Sequence, residues 1–144
     1  SDYESFVCEN KWWLEDYALF MAIKDYHKGK SWLEWEENYK TRNEETLNRF
    51  KEENLLEIEF WYFIQYYFFK QWYALKKHAN NLGVEIIGDI PIYVAMDSAD
   101  VWANVKYFQI DDKYNPINVT IADSPTDASL ISIFVFFIIS KDGE

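Results

Sequence analysis

An apolar helical pattern over residues 55–79, a glycine at 83 and a β-branched run over 84–87 that ends on Gly88-Asp89 constrain this chain more than any other feature. Leu55, Leu56, Ile58, Phe60, Trp61, Phe63, Ile64, Tyr67, Phe68, Trp72, Leu75 and Ala79 keep a broad apolar face at helical spacing. Lys76, Lys77 and His78 follow near the C-terminal end, where positive charge offsets the helix dipole. Gly83 ends the helix, and Val84, Ile86 and Ile87 read as a buried strand. A helix that returns to a parallel strand is the repeating unit of α/β folds. In a parallel barrel the C-terminal ends of the strands form the ligand face, which makes Asp89, Tyr93, Asp97, Asp100 and Trp102 the candidate site. Each has a structural alternative. Asp89 can serve as a turn residue, Asp97, Asp100 and Trp102 can brace a hydrogen-bonded loop, and Tyr93 alternates with Val94, one pointing inward and the other outward.

Upstream, Asn10 is placed to cap a helix from about Lys11 to Asp25, in which Trp13, Leu14, Tyr17, Ala18, Phe20 and Met21 recur at three- and four-residue spacing. Gly29 then supplies a left-handed helix end. The aromatic segment at residues 32–35 has no assignment from periodicity. Thr41 and Glu44 have capping-box spacing and predict a short polar helix over residues 44–52.

The chain has 144 residues, enough for one domain with a core, whereas a complete (β/α)₈ barrel takes about 250. A formal net charge of -11 excludes nucleic acid as a partner, because phosphate binding needs clustered Lys and Arg. A neutral ligand such as a glycan fits better. The 7 Trp, 11 Tyr and 11 Phe could stack on sugar rings, although most such rings serve the core. The single cysteine, Cys8, leaves no internal disulfide and no cysteine metal site, which suits a reducing cytoplasm. His27 and His78 lack metal-ligand spacing and read as solvated helix-end residues, so neither metal nor cofactor is expected. No basic segment followed by an apolar one opens the chain, so no signal peptide is expected. The run LISIFVFFII at residues 130–139 is about half the length a membrane helix needs, so no membrane span is expected. Asn118-Val119-Thr120 matches a glycosylation acceptor pattern that matters only in a secreted protein.

The stretch GDIPIYVAMDSADVWAN at residues 88–104 resembles the amylomaltase family, the 4-alpha-glucanotransferases also called disproportionating enzymes. So do FVCENKWWLEDYALFMAIKDYHKGKSWLEW at 6–35, the helix and strand IEFWYFIQYYFFKQWYALKKHANNLGVEIIGDIPIYV at 58–94, and VKYFQIDDKYNPINV at 105–119. The resemblance implies an α/β fold: a helix-rich fragment of a (β/α)₈ TIM-type barrel, with residues 1–119 supplying two or three βα units and a helical insertion. Residues 120–144 form a divergent apolar tail in which only 123–128 echo the family, and so abrupt a change looks like a reading-frame shift or a truncated gene.

What the resemblance implies about chemistry is specific. The parent enzyme moves α-1,4-glucan segments between maltooligosaccharides or starch-type glucans by a retaining double displacement, with two carboxyl groups about 5–5.5 Å apart. In the family the nucleophile lies in an Arg-x-Asp motif, the acid/base Glu on the next strand and a His-Asp pair beyond. None of these motifs occurs here, so this chain is expected to hold no catalytic residue and to be inactive alone. Asp89, Tyr93, Asp97, Asp100 and Trp102 are then substrate-side or rim residues. Open strand edges and residues 130–139 predict self-association of the piece. The competing readings are a non-catalytic module for glycan or protein binding and a membrane-associated protein using residues 130–139; both explain composition only.

Overall fold

The computed structural model describes residues 1–88 and 94–115, and these form a body built almost entirely of helices. In chain order they are α1 (Asp2–Glu9), α2 (Lys11–Tyr26), α3 (Glu37–Lys40), α4 (Glu44–Glu53), α5 (Leu55–Asn81) and α6 (Ala99–Ala103). Short 3₁₀ turns at Trp32–Glu34 and Val105–Tyr107 complete the regular elements of the described residues. The start of α1 was not foreseen. Ser1 and Glu4 close a capping box there, each satisfying the other's backbone N–H.

The central element is α2. Residues 17–23 are buried without interruption, on every side of the helix, and Trp13 and Leu14 continue the buried surface toward its start. A helix apolar all round has to be surrounded. Here α5 packs along one side, α6 on another and α1 at the N-terminal end. Tyr17 sits inside the α2–α5 contact, in edge contact with Trp61 at 6.2 Å, and the buried Gln65 hydrogen-bonds to it. Burial pushes the Tyr17 hydroxyl up to about 12, the nearby carboxylate of Asp25 adding to the shift and Gln65 opposing it.

The predicted helix ends hold at the glycines. Gly29 and Gly83 take φ 79° and 74°, and the preceding carbonyls of Lys24 and Ala79 accept the N–H groups of Gly29 and Val84. Three expectations need correction. Asn10 does not cap α2 with its side chain: its Nδ2 donates to the Phe6 carbonyl and its Oδ1 accepts from the Trp13 indole, so it ties the end of α1 to α2. The cap of α4 is Asn43, whose Oδ1 accepts from Thr46 N–H at 3.0 Å, while the Thr41 hydroxyl donates back to Glu37. The third concerns the strand expected at 84–87. These residues form no ladder, and Val84 and Ile87 are 55% and 90% exposed. A parallel strand exists only beside another strand, and apart from one isolated bridge position at Ile110 the described residues offer none.

Residues 94–104 are held to the helices by a clamp at the end of α2. Lys24 Nζ donates to Asp97 Oδ2 at 2.6 Å, with the two side chains only 15% and 13% exposed. Asp97 Oδ1 accepts the Trp32 N–H, and the Trp32 indole donates to the Met96 carbonyl at 2.8 Å.

Two outcomes follow from this packing. Replacing Asp97 with Ala strands a largely buried ammonium and an N–H group, and should lower unfolding free energy by about 3 kcal/mol in urea titrations; Asp97→Asn, which keeps an acceptor for Trp32, should cost less. The Tyr17 hydroxyl has a folded pKa above its unfolded value of about 10, so its contribution is complete below pH 10 and is lost as pH rises toward 12. Thermal melts across that window should show a smaller alkaline loss for Tyr17→Phe than for the parent chain; an equal loss would show that Tyr17 does not ionise on unfolding.

Candidate functional site

Of the five candidate residues, Asp89 and Tyr93 lie outside the described residues. The other three fall on one segment and do different things. Asp97 is taken up by Lys24 and Trp32 and faces the helices. Trp102 is 1% exposed. Its indole N–H donates to the Tyr39 carbonyl at 2.9 Å, and its ring packs on Phe20 and Trp35 at 5.7 and 5.9 Å. Both are held to the helical body by hydrogen bonds, and the segment is more regular than a loop: Ser98 caps α6 by accepting the Val101 N–H, so residues 99–103 turn once as a helix and bury Val101 and Trp102 together.

Asp100 differs. It lines a small cleft between α2 and α6 with Trp12, Trp13, Asp16, Tyr17, Ala99, Ala103 and Asn104. The cleft holds about 180 Å³, below the roughly 300–1,000 Å³ usual for ligand sites. Trp12 and Asp16 also line a wider, open groove of about 610 Å³ with Glu9, Lys11, Glu15, Arg42 and Lys51. The groove carries both signs of charge, and Trp12, 65% exposed, stands between the two depressions.

Asp16 and Arg42 were not singled out in the sequence, yet they shape this surface. Arg42 takes a left-handed backbone conformation, φ 56°, and its guanidinium lies 4.2 Å above the Trp102 ring while Nη2 donates to Asp16. No local pattern could have revealed this, because α2, the turn before α4 and α6 meet only in the folded chain. His27 is a further correction. It is not solvated: its side chain is 9% exposed, stacks on Trp35 at 5.2 Å and 17°, and bonds Glu36. That bond holds the Glu36 carboxyl below its ordinary range. His78 is exposed, as expected. Among the described residues, no three His, Cys, Asp or Glu side chains gather as metal ligands, and no helix is long and apolar enough to cross a membrane.

Chemically, the described surface offers an exposed indole flanked by carboxylates, an amide and a guanidinium. This set can hold hydroxyl groups and the flat face of a ring.

Comparison with known proteins places this arrangement. The family model described as 4-alpha-glucanotransferase, glycoside hydrolase family 77, matches residues 1–128, past the boundary at 119 read from the sequence and through the 123–128 echo. The 4-alpha-glucanotransferase of Thermus thermophilus is 47% identical over 116 residues, 81% of this chain and 23% of that protein. That of Aquifex aeolicus is 43% identical over 116 residues, 81% and 24%. That of Clostridium butyricum is 41% identical over 127 residues, 88% and 26%. In three dimensions the chain is similar to the amylomaltase from Streptococcus agalactiae solved in complex with acarbose, with a TM-score of 0.75 and 39% identity over 80% of this chain and 23% of that one. The chain thus spans about a quarter of the length of these relatives. Its sequence and its helical body together establish that this chain belongs to the 4-alpha-glucanotransferase family.

Proposed function

We propose that the chain is the part of a 4-alpha-glucanotransferase that builds and braces one side of the active face, without carrying the catalytic acids. The observation behind this reading is the agreement of sequence and structure over most of the chain with an amylomaltase solved with acarbose bound. On this reading the parent transfers α-1,4-glucan segments between maltooligosaccharides in the cytoplasm by a retaining double displacement, and the described helices pack against the rim of its (β/α)₈ barrel. Residues 1–119 contribute two or three βα units with a helical insertion, and the run at 84–87 becomes a strand when neighbouring strands are present to pair with it. Residues 129–144, beyond the family match, are left without an assigned role, and 130–139 lie outside the described residues.

The five candidate residues then divide by role. Asp89 and Tyr93, which lie outside the described residues, are substrate-side candidates by the family resemblance alone. Asp100 borders the glucan side of the α2–α6 cleft. Asp97 and Trp102 position this segment through Lys24, Trp32, Phe20 and Trp35 and do not touch the sugar. Double displacement needs a nucleophile and an acid/base group on opposite sides of one glycosidic bond, and none of the five supplies either.

The test is an assay of the 144-residue chain alone with maltotriose. No glucose or longer maltodextrins should accumulate above a buffer control, because both catalytic carboxylates are missing. Release well above that control would place the chemistry in this chain and overturn the assignment of roles.

A further inference from the structure

Trp32 is fully buried, and three parts of the chain meet on it. Its own backbone N–H donates to Asp97 Oδ1 at 3.2 Å, and its indole N–H donates to the Met96 carbonyl at 2.8 Å. The third part comes from the far end of the described residues. The Tyr114 ring meets the Trp32 ring edge-on, with centroids 5.2 Å apart and planes at 80°. Phe108, Ile110 and Tyr114 from this part, and Val94 and Met96 from the other, are half-buried against the same core.

Tyr114 makes its contact from a backbone conformation that resists it. Its φ is 62°, in the left-handed region that residues with a Cβ seldom adopt. A turn built on Asp111 holds it there. The Asp111 N–H donates to the Asn115 carbonyl at 2.8 Å, and the Asp111 carbonyl accepts the Tyr114 N–H at 2.9 Å. Asp111 Oδ1 accepts the N–H groups of Lys113 and Asn115 at 2.8 Å each. Opposed tendencies thus act on one residue: the turn and the ring contact close it onto Trp32, while backbone strain favours release.

We propose that residues 108–115 are a strap clasped over Trp32 by Tyr114, and that its closure sets how firmly residues 94–104, with Asp100 at the cleft, are held to the helices. Opening the strap removes the ring that covers one edge of Trp32 and lets water compete for its two N–H groups. Loosening residues 94–97 weakens the seat of Tyr114 in turn, because coupling between two sites is reciprocal. The coupling stands on these contacts alone; that it adjusts a glucan-facing surface rests on the glucanotransferase reading.

Hydrogen exchange of the 144-residue chain, followed by NMR at the Trp32 indole and backbone N–H beside amides of α4 and α5, tests the coupling without any sugar, so its outcome is separate from that of the maltotriose assay. Tyr114→Gly removes the strain and the ring together, and Asp111→Ala opens the turn without touching Trp32. Each should speed exchange at both Trp32 N–H groups by about tenfold or more relative to the amides of α4. Tyr114→Phe keeps the ring and should match the parent chain. In the other direction, Asp97→Asn should speed exchange at the Asp111 and Tyr114 N–H groups. A change shared by all amides reports global stability and cancels in the comparison. Trp32 N–H groups unmoved by Tyr114→Gly or by Asp111→Ala would overturn the proposal, and so would an Asp97→Asn effect confined to residues 24–104.

Discussion

Burial of α2 on every side from Tyr17 to Ile23 is the constraint on which the rest depends. From Tyr17 to Ile23 every residue is inside, and a helix without a solvated face cannot form part of a stable body until it is enclosed. Enclosure recruits elements distant in sequence: α1 at one end, α5 along the length, and α6 from beyond residue 98. Much of the apolar area is aromatic, and the Phe20, Trp35 and Trp102 rings meet at 5.3 to 5.9 Å in tilted and edge contacts.

Tryptophan supplies the directional part of this core. Trp13, Trp32, Trp35 and Trp102 are buried, and each indole N–H donates to an oxygen, respectively Asn10 Oδ1 and the carbonyls of Met96, Lys30 and Tyr39. An unpaired N–H in such surroundings would cost about 1–3 kcal/mol, so these bonds fix which loop lies over which ring. The Lys24–Asp97 pair adds charge to the same joint. Together they connect the buried helix to the segment holding Asp97, Asp100 and Trp102, and thus link the core to the surface facing the cleft.

Local signals in the sequence predicted local structure well. Gly29 and Gly83, both at positive φ, ended the two main helices where expected, and the periodicity of α2 and α5 placed them within a residue or two. Signals that needed a partner failed. The run at 84–87 has strand composition, but composition does not supply a neighbouring ladder. His27 looked like a solvated helix end because nothing near it announced that Trp35 would stack on it. For Asp97, Asp100 and Trp102 the sequence pointed to one segment, while their separate surroundings depended on Lys24, Asp16 and Arg42, remote in sequence. The family was legible because aromatic and acidic residues recur in fixed order over most of the chain, which is information of a different kind from periodicity.

Native-state hydrogen exchange followed amide by amide tests the primacy of α2 directly. The amides of residues 17–23 should exchange last, at the rate set by global unfolding, with those on the outer face of α5 and near its C-terminal end exchanging earlier through local opening. Amides of α5 or α1 that outlast those of α2, or α2 amides that exchange as fast as the helix ends, would show that the body does not depend on enclosing α2.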